Sequence, residues 1–279
     1  MLDLLLGLNL WQLTFVVLGV ALGTGLVVSI GIRRLFKLNP NAQQADLAID
    51  LMQVSSTYIG ILLAFAGVLA WQDYKDADTA IEREAGVSSL LYRDLTAYGP
   101  GMAAARDDLK TYVNSVIVDE WPLLREGNRS NATEAKLLDL FDDIAAVTPT
   151  NEREAAIYRE AFTQLNELVS LRRDRMSASR AQIPPVLWIV ALVGSILTIA
   201  YASAFVSSRY ALLMISGTSL TIGLLFLFLL SVDYPFRNRS GVSDEPLIEL
   251  ASIFEKIDRF PKNARFNSVP AEPTPGPRE

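Results

Sequence analysis

The sequence predicts an all-α, polytopic membrane protein with four transmembrane helices and a helical bundle domain inserted between the second and third. Three observations predict it. Runs at about 11–32, 51–71, 185–206 and 210–232 are each apolar over the roughly 20 residues a bilayer core requires. A polar stretch, residues 72–183, separates the two pairs and repeats its apolar positions at three- and four-residue steps. The 279 residues are 51% hydrophobic and only 20% charged, with a mean hydropathy of +0.27, more apolar than a water-soluble protein of this size.

Each element follows in chain order. Residues 1–9 carry Asp3 and no Lys or Arg, and the first run is too long for the core of a leader peptide, so it reads as a permanent anchor. Trp11, Trp71, Trp188 and Tyr210 stand near span ends, where amphipathic rings favour the interface. After Trp71 no breaker intervenes. Ala77, Ile81, Ala85, Ser88, Tyr92 and Leu95 keep helical spacing, so the second span should run on as one long helix to Gly99-Pro100-Gly101. Leu109, Tyr112, Val113, Val116 and Ile117 mark a second polar-region helix, ending around Gly127 to Ser130. Asn131 with Glu134, and Asn151 with Glu154, read as capping boxes opening a third and a fourth. Only Ser207 to Arg209 separates the last two spans, which must form a tight hairpin. Pro235 stops the fourth span. A short amphipathic helix follows at 243–260, with Leu247, Leu250, Ala251, Phe254 and Ile257 on one face, to be buried against the helical domain or the membrane surface. The Pro-rich tail, 261–279, lacks an apolar pattern and should be disordered. The organisation is therefore a first transmembrane pair (1–71), a polar helical domain (72–183), a second pair (184–232), a juxtamembrane helix (233–260) and the tail.

Composition removes whole classes of chemistry. With neither Cys nor His, the chain has no disulfide, thiolate nucleophile, Ser-His relay or ordinary transition-metal site. No cofactor or metal is expected. The polar region carries 14 Lys/Arg against 20 Asp/Glu, and the whole chain is acidic, which argues against a nucleic-acid partner. Carboxylates such as Asp107-Asp108 and Asp142-Asp143 have the spacing of solvated helix faces, and no Gly-rich phosphate loop follows a strand, so no enzyme is expected. The spans hold no Asp, Glu, Lys or Arg in their apolar cores, unlike a proton-coupled pump.

The second span carries the candidate site. Ile61, Phe65 and Leu69 are four residues apart on one face, and a ring of them from several subunits would make an apolar neck that gates by dewetting. The plainer alternative is a lipid-facing or bundle-core stripe. Ser55, Ser56 and Thr57 could solvate an ion, or bond their own backbone. Asp73 and Asp76, with Asp78, outnumber Lys75 beyond the span, and in a symmetric assembly would ring the mouth with negative charge that favours cations. Small residues offer close helix approach, either within the chain or between copies: Gly19 and Gly23 in the first span, Ser56, Gly60 and Ala64 with Gly67 nearby in the second, Ala77 to Ser88 beyond it.

Several segments in order resemble a known family. They are Arg33-Arg34-Leu35-Phe36; Ile61 to Phe65 leading to Trp71; Glu82-Arg83-Glu84-Ala85 with Leu91-Tyr92-Arg93; and Asp233-Tyr234-Pro235-Phe236 before Val242-Ser243. Together they resemble the bestrophin-like domain family of mostly bacterial membrane proteins, similar in layout to the bestrophin channels. The acidic calcium clasp and the bestrophin neck motif are not found in this sequence. The resemblance implies a homo-oligomer, a pentamer by analogy, in the lipid bilayer of the cell (inner) membrane, passing small inorganic ions through a pore lined by the second helix. The rival is a non-conducting scaffold or sensor whose helical domain binds a partner. Arg33, Arg34 and Lys37 put the first loop in the cytoplasm and the helical domain outside, whereas Arg172, Arg173, Arg175, Arg180, Arg237 and Arg239 lie on the opposite side. Bestrophins keep their helical region inside. Because the first helix usually dominates insertion, the domain is expected outside.

Overall fold

A computed structural model describes residues 5, 7–36, 41–202, 209–237 and 241–259. Lys37, Arg239, the connection between the last two spans and the tail lie outside the described residues, as do the side chains of Arg33 and Tyr210. Among the described residues every regular element is helical.

The first helix, α1 (Leu10–Phe36), is followed by α2 (Ala42–Tyr98), 57 residues without a break. At 1.5 Å per residue α2 is about 85 Å long, far more than a bilayer core needs. Its start is a capping box that sequence reading missed: Asn41 Oδ1 accepts from the Gln44 N–H at 2.9 Å, and Gln44 Oε1 accepts from the Asn41 N–H at 3.1 Å. Its end is Gly99, whose φ of 103° no residue with a Cβ adopts cheaply. After a 3-10 turn come α3 (Ala103–Ser115), a π turn (Val116–Glu120) and α4 (Trp121–Arg125). The second polar-region helix is thus interrupted by a wide turn, with Val116 and Glu120 buried in it.

The chain continues into α5 (Asn131–Ala145) and α6 (Glu152–Ala178). Both starts depart from the expected boxes by one position. Ser130, not Asn131, caps α5, its side chain accepting from the Thr133 N–H at 3.1 Å. Asn151 does cap α6, taking the Glu154 N–H at 2.9 Å, but the Glu154 carboxylate reaches back to the N–H and hydroxyl of Thr150, both at 2.8 Å. The last helices are α7 (Pro185–Ala202), α8 (Arg209–Val232) and α9 (Glu245–Arg259).

The described chain forms two compact units. The first holds Met1–Thr79, Leu124–Asn128 and Asp174–Val242; the second holds Ala80–Leu123, Arg129–Arg173 and Ser243–Glu279. In the first unit lie four stretches long and apolar enough to cross a membrane: Leu10–Ile32, the apolar part of α2, Pro185–Ala202 and Ala211–Val232. There α1 packs chiefly on α8. Two glycines set that approach, since a Cβ at Gly25 would collide with Ser219 and one at Gly223 with Ala21. The α2 span packs through Leu63, Ala66 and Ala70 on Ile183, Ala191, Phe226, Leu229 and Val232.

The second unit packs α3 on α5, with Leu109, Val113, Leu137, Leu140 and Ile144 among its buried residues. The amphipathic α9 lies against α3, burying Leu247, Leu250 and Phe254; Ala251 is exposed and Ile257 half-buried. Phe254 stacks on Tyr92 with centroids 4.1 Å apart. This decides between the two expected burial places: α9 packs on the helical unit. The small-residue stripe packs within the chain: Ala77, Ala80, Ile81, Ala85, Ser88, Tyr92 and Leu95 are all buried.

Candidate functional site

The α2 span buries one arc and leaves the rest open. With 100° per residue, Leu63, Ala66 and Ala70 fall within about 60° of one another and face the other spans. Ile61, Phe65 and Leu69 lie on the opposite arc, and their exposures of 51%, 69% and 49% leave them open among the described residues. They are not a core stripe of this chain. Val54, Tyr58 and Val68 share the open arc. Ser56, Gly60 and Ala64 lie along one edge of it, also exposed, and a Cβ at Gly60 would meet nothing within 4 Å. The glycine of α2 that seats a neighbour is instead Gly67, against Phe228.

The hydroxyls are occupied. Ser56 donates to the Met52 carbonyl at 2.6 Å and Thr57 to the Gln53 carbonyl at 2.8 Å, the backbone bonding that membrane-helix hydroxyls favour. Ser55, half-buried, is turned toward the edge of the packed arc and away from Thr57. The structure therefore does not bring Ser55, Ser56 and Thr57 onto one face.

The two mouth carboxylates also separate. Asp76 is exposed and continues the line of Phe65 and Leu69. Asp73 is rotated about 60° from Asp76 toward the packed side and is half-buried. There its charge reaches Asp233, the residue just past α8. Sequence reading treated Asp233 only as part of a motif. It is 2% exposed, and its carboxylate accepts from the Ile183 N–H at 2.6 Å and the Trp188 indole N–H at 3.2 Å. Burial pushes the Asp233 carboxyl up to about 6, against the lowering effect of both hydrogen bonds, with the Asp73 charge adding to the rise. The sequence signal was an acidic residue at the end of an apolar span facing a Pro184-Pro185 start that has no N–H to offer.

The Bestrophin-like domain family model matches residues 19–247, and the chain belongs to that family. No curated protein matches the chain in sequence. Among solved structures, the crystal structure of a membrane protein carrying a proline-to-alanine substitution resembles it with a TM-score of 0.62 at 13% identity, over 88% of this chain and 97% of that one. At that identity the likeness is one of fold: a multi-helix membrane protein.

Proposed function

We propose that the protein is an oligomeric ion channel in which each copy contributes α2 to a central passage across the bilayer. The carrying observation is the open arc of α2. A helix that packs on its own chain through one side only, in a span with no charged side chain, presents Ile61, Phe65 and Leu69 and then the carboxylate of Asp76. Rings of these groups form an apolar neck followed by an acidic mouth, which passes small inorganic ions passively and prefers cations. Asp76 supplies that mouth charge. Asp73 serves the packed side, and the hydroxyls of Ser56 and Thr57 serve the helix backbone. Ser56, Gly60 and Ala64, left open at the edge of the arc, are small enough to seat the neighbouring copy. Five copies is the number that the likeness to bestrophins suggests. The loop after α1 faces the cytoplasm of a cell (inner) membrane, as Arg34 and its basic neighbours favour.

Ion flux through reconstituted vesicles tests this. Phe65→Ala removes apolar surface from the neck, lowers its dewetting barrier and raises the flux, while Asp76→Asn weakens cation preference. Vesicles holding folded wild-type and Phe65→Ala protein that are equally impermeable across voltage would refute it.

A further inference from the structure

The junction between the start of α7 and the end of α8 holds a group that the pore reading does not use. Ile183 is the last residue before Pro184 and Pro185, so its N–H is the final backbone donor ahead of α7. That donor goes to Asp233 Oδ1 at 2.6 Å, and Asp233 Oδ2 accepts from the Trp188 indole one turn into α7. Both oxygens of one buried carboxyl therefore tie the entrance of the third span to the exit of the fourth. Trp188 is fixed from its other side by a stack on Phe226, with centroids 5.8 Å apart. Ile183 and Val232 belong to the same apolar cluster as Ala70 of α2, with Tyr74 packed against it.

Among the described residues Asp233 meets Asp73 of α2, a like charge, the neutral Trp188 indole of α7 and the Ile183 amide just before α7. In sequence Arg237 and Arg239 follow Asp233 and Arg180 precedes Ile183; Arg237 stands over the Tyr234 ring at 5.7 Å.

We propose that Asp233 is a proton-operated latch: protonated, it keeps the α7–α8 junction and the adjoining Asp73 turn of α2 packed, and ionised, it releases them. The direction follows from linkage. A carboxyl held at about 6 when packed, against an ordinary 3.8, binds its proton on the order of a hundredfold more tightly packed than in water. The packed junction is thus favoured more strongly as pH falls from neutrality through about 6 toward 3.8. Above 6 the carboxylate is ionised where burial disfavours its charge, with Asp73 adding repulsion, and an opened, hydrated arrangement gains by up to the same factor. Protonation keeps the Ile183 bond, through the carbonyl oxygen, and weakens the Trp188 bond, whose oxygen becomes the hydroxyl.

The test uses the full chain in lipid nanodiscs and needs no ion flux, so its failure is distinct from failure of the channel reading. With tryptophan labelled in its indole nitrogen, the Trp188 resonance, assigned with Trp188→Phe, should titrate with a midpoint near 6. Asp73→Asn should lower that midpoint and Asp233→Asn abolish the titration. Because the chain has no cysteine, Ile183→Cys introduces one buried thiol whose labelling rate reports opening. Relative to the same thiol in the Asp233→Asn background, which corrects for thiol ionisation, labelling should rise as pH passes above the midpoint. A flat Trp188 resonance through that range overturns the proposal. So does a titrating resonance with an unchanged labelling ratio, which would make Asp233 a proton site without a latch. Should Asp233→Asn fail to fold, the midpoint of Asp73→Asn and its own labelling profile, shifted downward together, carry the same decision.

Discussion

The Tyr112 hydroxyl donates a 2.6 Å hydrogen bond to the Glu84 carboxylate, with both side chains buried in the second unit. A carboxylate out of water is tolerated only when its lone pairs are used. The bond joins α2 to α3, so it couples the long helix to the bundle built on it. Arg172 does the same for Glu120, donating at 2.7 Å.

Tyr112→Phe keeps the ring and removes the donor. The expected loss is about 1.5–3 kcal/mol, the range for a hydrogen bond to a charged partner. Thermal unfolding of the full chain in detergent should show a clearly lower midpoint, and an unchanged one would mean that the bond adds nothing.

Glycine positions divide by what stands over them. Gly223→Ala should destabilise the chain by about 1–3 kcal/mol, because its new methyl lands on the Ala21 Cβ, which cannot rotate away. Gly19→Ala, where nothing lies within 4 Å, should leave the melting temperature level or slightly raised. Equal effects at the two sites would contradict the α1–α8 packing described above.

The last turn of α9 is clamped at Asp258, which accepts from Lys110 at 2.6 Å and Tyr92 at 2.7 Å, with Arg106 at 3.9 Å. Burial alone would push this carboxyl up, but Lys110 and Tyr92 hold it below its usual value. A lowered acid contributes its stabilisation above the ordinary 3.8 and loses it as pH falls through the folded value. Hydrogen exchange in α9 should therefore quicken in strong acid. Asp258→Asn should reproduce that fraying at neutral pH, and an α9 equally protected in the variant would show that Leu247, Leu250 and Phe254 hold it alone.

Much of the fold was legible because its signals are local. Four long apolar runs and an unbroken periodicity past Trp71 pointed to four helices long enough to span and to the continuation of α2 to Tyr98, while its start at Ala42, nine residues before the predicted span, was missed. Caps were placed to within one residue, since Ser130 and Asn131 are both good capping side chains and only the Thr133 N–H chooses between them. Rotation about α2 was harder to read. Four-residue spacing put Ile61, Phe65 and Leu69 on one face, but which face the chain itself covers depends on Ile183, Phe226 and Leu229, over a hundred residues away. For the same reason Asp73 and Asp76 looked equivalent in sequence and are not. Asp233 was illegible as a buried group, because its partners are a backbone amide and an indole 50 and 45 residues distant.

Conduction through α2 requires that copies of this chain close into a ring with α2 at the axis. Single-particle imaging of the purified full-length protein in nanodiscs addresses it most directly. A channel of this kind images as a closed ring, of about five copies by the family likeness, with Ile61, Phe65 and Leu69 facing an axial passage. A monomer, or a dimer with lipid against Phe65 and no passage, would contradict it.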